Sequence, residues 1–205
     1  MVSGFAALAG IKVVGPRLGK YDENGNPLNI SGSSIVAGAL GVFILWFGWF
    51  GFNVGSALAA VNVDLASIAV TTLLSGCANV NNLGAVIIGL VAGFLLVTAS
   101  NYFENNGVDD AVGAVSVHGI CGTWGVLAVA IFDTTDGLVF GGTSLLVPQL
   151  IGAISIGTWA YVTSFVAFKI IDALIGVRVS REEEIAGLDL SEHDSTAYGD
   201  FALKN

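Results

Sequence analysis

The chain has 205 residues, of which 54% are hydrophobic and 11% charged, and a net charge of −9. Its mean hydropathy is +0.81, and a soluble domain carries about 25% charge, so the composition is that of a membrane protein. The negative balance, with only seven cations, excludes a nucleic-acid footprint.

Uncharged runs cover Ser31–Val63, Leu65–Phe103, Ala111–Phe132 and Gly137–Phe168. Each is long enough for at least one span of about 20 residues. In chain order, Met1–Val14 reads as part of a membrane helix and not as a signal peptide, because no basic segment precedes it. It stops at Gly15-Pro16. Lys20–Ser33 is a polar, turn-rich loop. Ser34–Ser56 is the first complete span. Its end, WFGWFGFNVGS, mixes aromatics with glycines, and the GxxxG pairs Gly51/Gly55 and Gly89/Gly93 predict close helix packing. The cluster Ala78–Asn82 divides the next run into Leu65–Cys77, too short to cross, and Leu83–Ser100, which spans. Asp109 and Asp110 are structural acids placed where a helix N-terminus favours anions. Ala111–Phe132 is a span, Asp133–Gly142 a cation-free loop, and Leu146–Ala173 the last span, with Gly176 as its cap.

The seven cations are Lys12, Arg17, Lys20, Lys169, Arg178, Arg181 and Lys204. None lies between Lys20 and Lys169, so both end regions are expected in the cytoplasm. Four full crossings satisfy this parity, and a fifth at residues 65–77 would break it. The expected architecture is an all-α integral membrane domain over residues 1–176. A cytoplasmic C-terminal tail follows over residues 177–205.

His118 is the residue most open to a functional reading. Centred in the 111–132 run, an ionisable side chain is expensive in lipid and marks a functional position by default. A neutral imidazole there accepts or relays a proton without a permanent charge, and Gly119 and Gly122 keep one side of its helix slim. Trp49, Phe52 and Ser56 recur at i, i+3 and i+7, one helix face. Aromatic faces attract cations, and the hydroxyl adds an acceptor. An interfacial aromatic belt is the other reading of that face. No catalytic set appears: GxSxG, HExxH and CxxC are absent, and Ser116, two residues from His118, points elsewhere. The chain is not expected to be an enzyme. Cys77 and Cys121 are lone thiols in apolar runs, so neither a disulfide nor a metal site is expected, and no cofactor is implied.

Five segments resemble the ammonium transporter (Amt/MEP/Rh) family. They are GPRLGKYDENGNP, FILWFGWFGFNVGSALAA, GCANVNNLGAVIIGLVAGFLLV, VDDAVGAVSVHGICGTWGVLAVAIF and VRVSREEEIAGLDLSEHDSTAY. The resemblance implies a plasma-membrane protein, forming a homotrimer with one pore per subunit. Ammonium would be recruited at Ser56 and Trp49, pass a gate to which Phe52 belongs, and lose its proton. Ammonia would then pass an apolar pore containing His118, one of a histidine pair. The tail would help regulate conduction, and PII-type signalling proteins dock on such tails in many bacteria.

Two departures qualify this. The family's first pore histidine falls immediately before the position matching Met1, and the helices preceding it are absent. Near Thr71–Leu74 the family has the rest of one helix, a loop and most of another, which Ala66–Val80 bridges here. The sequence is therefore read as a C-terminal half with an internal deletion. Impaired ammonium transport is the first expectation. A non-conducting membrane protein that keeps a partner-binding tail is the alternative.

Overall fold

The computed structural model describes residues 1–32, 34–58, 65–73 and 79–197. Helix α1 (Val2–Val14) is followed by α2 (Ile35–Gly55), α3 (Leu65–Leu73) and α4 (Asn82–Asn105). A π-helical turn, Val115–Ile120, runs straight into α5 (Cys121–Phe132). Then come α6 (Leu146–Ile175), α7 (Arg181–Ala186) and the single turn α8 (Leu188–Ser191). No strand occurs among the described residues, only the isolated bridges Tyr21–Pro27 and Val80–Asp133.

Among the described residues, four helical stretches are long and apolar enough to cross a membrane: α2, α4, Val115–Phe132 and α6. Local chemistry starts and stops them. The Ser34 hydroxyl accepts from Ala37 N, and the Asn81 side chain accepts from Gly84 N, each satisfying a free amide of the first turn. Gly15 closes α1 at φ +82, a value costly for any residue with a Cβ. The described helix α3 rises only about 13 Å at 1.5 Å per residue, less than a core of about 30 Å. Residues 74–78, including Cys77, lie outside the described set.

Helix α1 packs against α6 and the π-helical turn, and α5 and the turn pack against α4. The buried apolar positions are mostly small: Ala9, Ala85, Ala128, Ala130, Ala153 and Ala160. Without water to drive association in lipid, such residues let backbones approach closely. Trp124 Nε1 donates to Ile88 O at 3.0 Å, and Cys121 Sγ to Ala92 O at 3.4 Å, fastening α5 to α4. Helix α2 differs. It packs on α3, joined by Asn53 Nδ2 donating to Thr72 Oγ1 at 3.3 Å, and no residue of it is buried.

Three sequence expectations need correction. The span expected from Ala111 begins at Val115. Gly113 turns the chain at φ +69, and the Asp110 carboxylate takes the first amides. His118 therefore sits in the first turn of its span and not at its middle. The helix expected to end at Ser100 continues to Asn105, because Glu104 and the segment around it are tied to the α1–α2 loop. Finally, a methyl added at Gly51, Gly55 or Gly93 would meet nothing within 4 Å. These three motif glycines make no close approach among the described residues. Tight glycine contacts between helices occur elsewhere, at Gly4 against Gly119 and Gly122 against Met1.

Candidate functional site

The cation-bearing ends gather at one end of the bundle. Arg17 grips Asp109 twice, through Nε to Oδ2 at 2.8 Å and Nη2 to Oδ1 at 2.8 Å, while its own amide donates to Oδ2 at 2.9 Å. The paired guanidinium holds the Asp109 carboxyl below the usual carboxylate range, against the opposing effect of burial. The ion pair therefore persists at neutral pH and is lost only as acid protonates Asp109. Lys20, 7% exposed, pairs with Glu104 and donates to Leu28 O at 3.1 Å, and Tyr21 Oη donates to Glu104 O at 3.1 Å.

The tail closes on the same place. Arg178 Nη1 donates to Val14 O at 3.0 Å and Pro16 O at 2.7 Å, capping carbonyls at the end of α1. Its Nη2 reaches Glu184 Oε2 at 2.7 Å. Leu18 N donates to Glu184 Oε1 at 2.8 Å, and that backbone bond, ahead of Arg178, keeps the Glu184 carboxyl below its ordinary range. Ser180 and Glu183 form a reciprocal capping box that starts α7 and so presents Glu184.

The π-helical turn carries His118. Its inward side is packed: Val115 is 2% and Ser116 0% exposed, and Gly119 lies against Gly4. Val117 and His118 occupy the open side. The extra residue in a π turn loosens the hydrogen-bond ladder, and such turns gather at functional positions. Here Cys121 N bonds Ser116 O, and the Thr123 hydroxyl donates to Gly119 O at 2.7 Å.

The aromatic face of α2 lies apart from this turn. Trp49 is 54% and Phe52 71% exposed; Ser56, also exposed, donates its hydroxyl to Phe52 O at 2.7 Å. The i, i+3, i+7 alignment exists, but α2 stacks on α3, while His118 belongs to the α1–α4–α6 group. An apolar groove of about 550 Å³ beside α1, α5 and α6, with Phe5, Leu127, Ile154 and Tyr161 among its walls, includes neither His118 nor Phe52. Asp109 and Asp110 were legible as acids near a helix start. The Arg17, Lys20 and Arg178 anchors were legible only as cations, because Asp109, Glu104 and the Val14 carbonyl that they hold lie 84 to 164 residues away.

Comparison with known proteins agrees with this architecture. The family model described as Ammonium Transporter Family matches residues 1–79 and 74–198. "Ammonium transporter Amt2" of Archaeoglobus fulgidus is 39% identical over 249 aligned positions, covering 98% of this chain and 53% of that protein. The aligned length exceeds the chain itself, so the relative carries residues where this chain has none, as an internal deletion requires. "Ammonium transporter 1 member 1" of Arabidopsis thaliana is 31% identical, covering 97% of this chain and 52% of the relative. Among solved structures, "Sensor Amt Protein" superposes with a TM-score of 0.87 at 29% identity over 93% of this chain and 57% of its own. Saccharomyces cerevisiae Mep2 shares the fold, with a TM-score of 0.75 at 20% identity over 88% of this chain and 52% of its own. The chain thus spans about half the length of the relatives it matches, and it belongs to the ammonium transporter family.

Proposed function

We propose that this chain carries part of an ammonium-conducting pore and contributes to transport only within a larger assembly. His118 supports this most directly: an imidazole on the open side of a bilayer-spanning stretch, in a chain of this family. Ammonium is close to potassium in size, so size alone selects poorly. An apolar pore imposes a large desolvation cost on an ion and little on neutral ammonia. Recruitment at Ser56 and Trp49, a gate at Phe52 and proton removal toward His118 would reject metal cations, which have no proton to give up. In this reading Asp109 and Asp110 hold the helix ends, residues 1–176 form the membrane part, and residues 177–205 form the regulatory tail. A homotrimer in the plasma membrane and a PII-type protein on the tail belong to the same proposal. No chemical reaction is catalysed.

The test is a chimera in which the Archaeoglobus fulgidus relative supplies the missing helices around these residues. Methylammonium uptake is expected. His118→Asp should abolish uptake or alter its selectivity, and His118→Phe should change the proton current that accompanies it. Uptake and current unchanged in both variants would reduce His118 to a packing residue.

Orientation is testable in the chain itself. Arg181 and Asp136 are both exposed and lie in segments of opposite expected side. Cysteines placed at each position should react differently with an impermeant maleimide added to intact cells. Asp136→Cys is expected to be modified and Arg181→Cys protected. The reverse pattern overturns the assignment of the tail to the cytoplasm.

The second reading, a non-conducting membrane protein with a partner-binding tail, draws on the clasp of Arg178 and Glu184 around the end of α1. That clasp needs no pore. The chimera separates the two readings, because only the first predicts uptake.

A further inference from the structure

We infer that Asp110 is a positioning residue for His118: its carboxylate fixes the π-helical turn that sets the direction of the imidazole. The inference rests on the reading of His118 given above, but its test does not.

Three donors converge on a single oxygen. Asp110 Oδ2 accepts from Val115 N at 3.0 Å, Ser116 N at 3.1 Å and Ser116 Oγ at 3.3 Å. The other oxygen, Oδ1, is buried and has no hydrogen-bond partner among the described residues. A buried acceptor left unpaired is uncommon and destabilising, so the carboxylate is held in place through Oδ2 alone. The far end of the turn is fixed differently. Gly119 lies against the Gly4 backbone, where a Cβ at Gly4 would come within 2.0 Å of Gly119 N. Val117 and His118 are the two residues between these fixed points, and both are exposed. The turn that joins them is π-helical, with one residue more than an α turn accommodates. Relaxation to an α turn would shift the register by one residue, on the order of 100° of rotation about the helix axis. Packing at Gly119 cannot prevent that, because the slack lies on its N-terminal side. The Asp110 clamp closes that side. Asp109, its neighbour, is occupied by Arg17 and makes no bond to the turn, so the two acids act separately.

The experiment uses the full 205-residue chain, ¹⁵N-labelled at histidine and in the backbone, in phospholipid bilayers, observed by solid-state NMR. His193, in the tail, serves as the internal reference. Asp110→Ala should displace the His118 imidazole resonances and speed hydrogen exchange at Val115 and Ser116 by roughly tenfold, the weight of a lost charge-assisted bond. Asp110→Asn, which keeps an acceptor in place, should restore most of the protection. Asp110→Glu, which keeps the charge but overreaches by a methylene, should displace His118 without unfolding the chain. It stands in if the alanine variant does not fold. Asp109→Asn should leave His118 where it is. His118 resonances indifferent to Asp110→Glu, or moved equally by Asp109→Asn, overturn the inference. Either result is independent of whether the chimera transports.

Discussion

Expressed by itself in cells that lack their own ammonium transporters, this chain is expected to leave growth at low ammonium and mildly acidic pH at the level of an empty vector. Backbone and polar groups in a bilayer must be enclosed by protein or line a water-filled cavity that protein walls off. Here the candidate pore residues sit on open faces. Phe52 and Trp49 are 71% and 54% exposed on a helix that packs on α3, and His118 is exposed on a different group of helices. Nothing in the described residues wraps them into one channel, and the nine described residues of α3 do not supply such a wall. Insertion itself should succeed, since four spans of suitable length and hydropathy are present. A membrane-fraction blot that finds the protein, together with background uptake, is the expected pair of results. Rescue of growth by these 205 residues would show that the open faces close on each other, in one copy or between copies.

The second large effect is expected at Gly4. A methyl there would lie 2.0 Å from Gly119 N, 2.4 Å from Gly119 Cα and 2.6 Å from His118 C. All three are backbone atoms, so no side chain can swing aside, and α1 must move away from the π-helical turn. Overpacking of a core costs about 1–3 kcal/mol where side chains can yield, so Gly4→Ala should reach at least the upper part of that range. Gly10→Ala gives the contrast. Its methyl meets the Phe168 ring at 3.1 Å, the far end of a side chain that can shift, so its cost should be smaller. Gly93→Ala meets nothing within 4 Å and replaces a poor helix former with a good one, for a gain of up to about 1 kcal/mol. Denaturation in mixed micelles, followed by tryptophan fluorescence, should rank the three in that order. Equal stability of Gly4→Ala and Gly93→Ala would mean that α1 does not rest on the turn.

How far the sequence foretold this arrangement depends on range. Uncharged length revealed the spans, because lipid leaves the backbone few alternatives. Ser34, Asn81 and Gly15 marked helix ends through bonds that close within a few residues. The late start at Val115 was hidden because Ala111 and Val112 are as apolar as the helix they precede. Only the folded position of Asp110 shows where the first amides are taken. A π turn leaves no trace in hydropathy, since one extra residue does not change composition. The glycine motifs misled for a related reason. GxxxG describes one surface and names no partner, whereas the contact that forms, Gly4 on Gly119, joins residues that share no motif. Trp49, Phe52 and Ser56 share a helix face by their spacing, but spacing does not say what that face meets.

The ion pairs at the cation-rich end also have an order in time. Arg17 and Lys20 leave the ribosome well before Asp109 and Glu104, which stand 92 and 84 residues later. While the spans nearest them are being placed, those cations are still without these partners, and unpaired Lys and Arg beside a span are what bias its sidedness. Once α4 and the following loop arrive, the same charges are neutralised: Arg17 by Asp109, Lys20 by Glu104, and later Arg178 by Glu184. Three of the seven cations are thus paired in the folded chain, whereas Lys12, Lys169 and Arg181 stay exposed. Whatever Arg17 and Lys20 contribute to the choice of side is contributed before their partners emerge, and pairing then ties each of them to α4 or the loop that follows it.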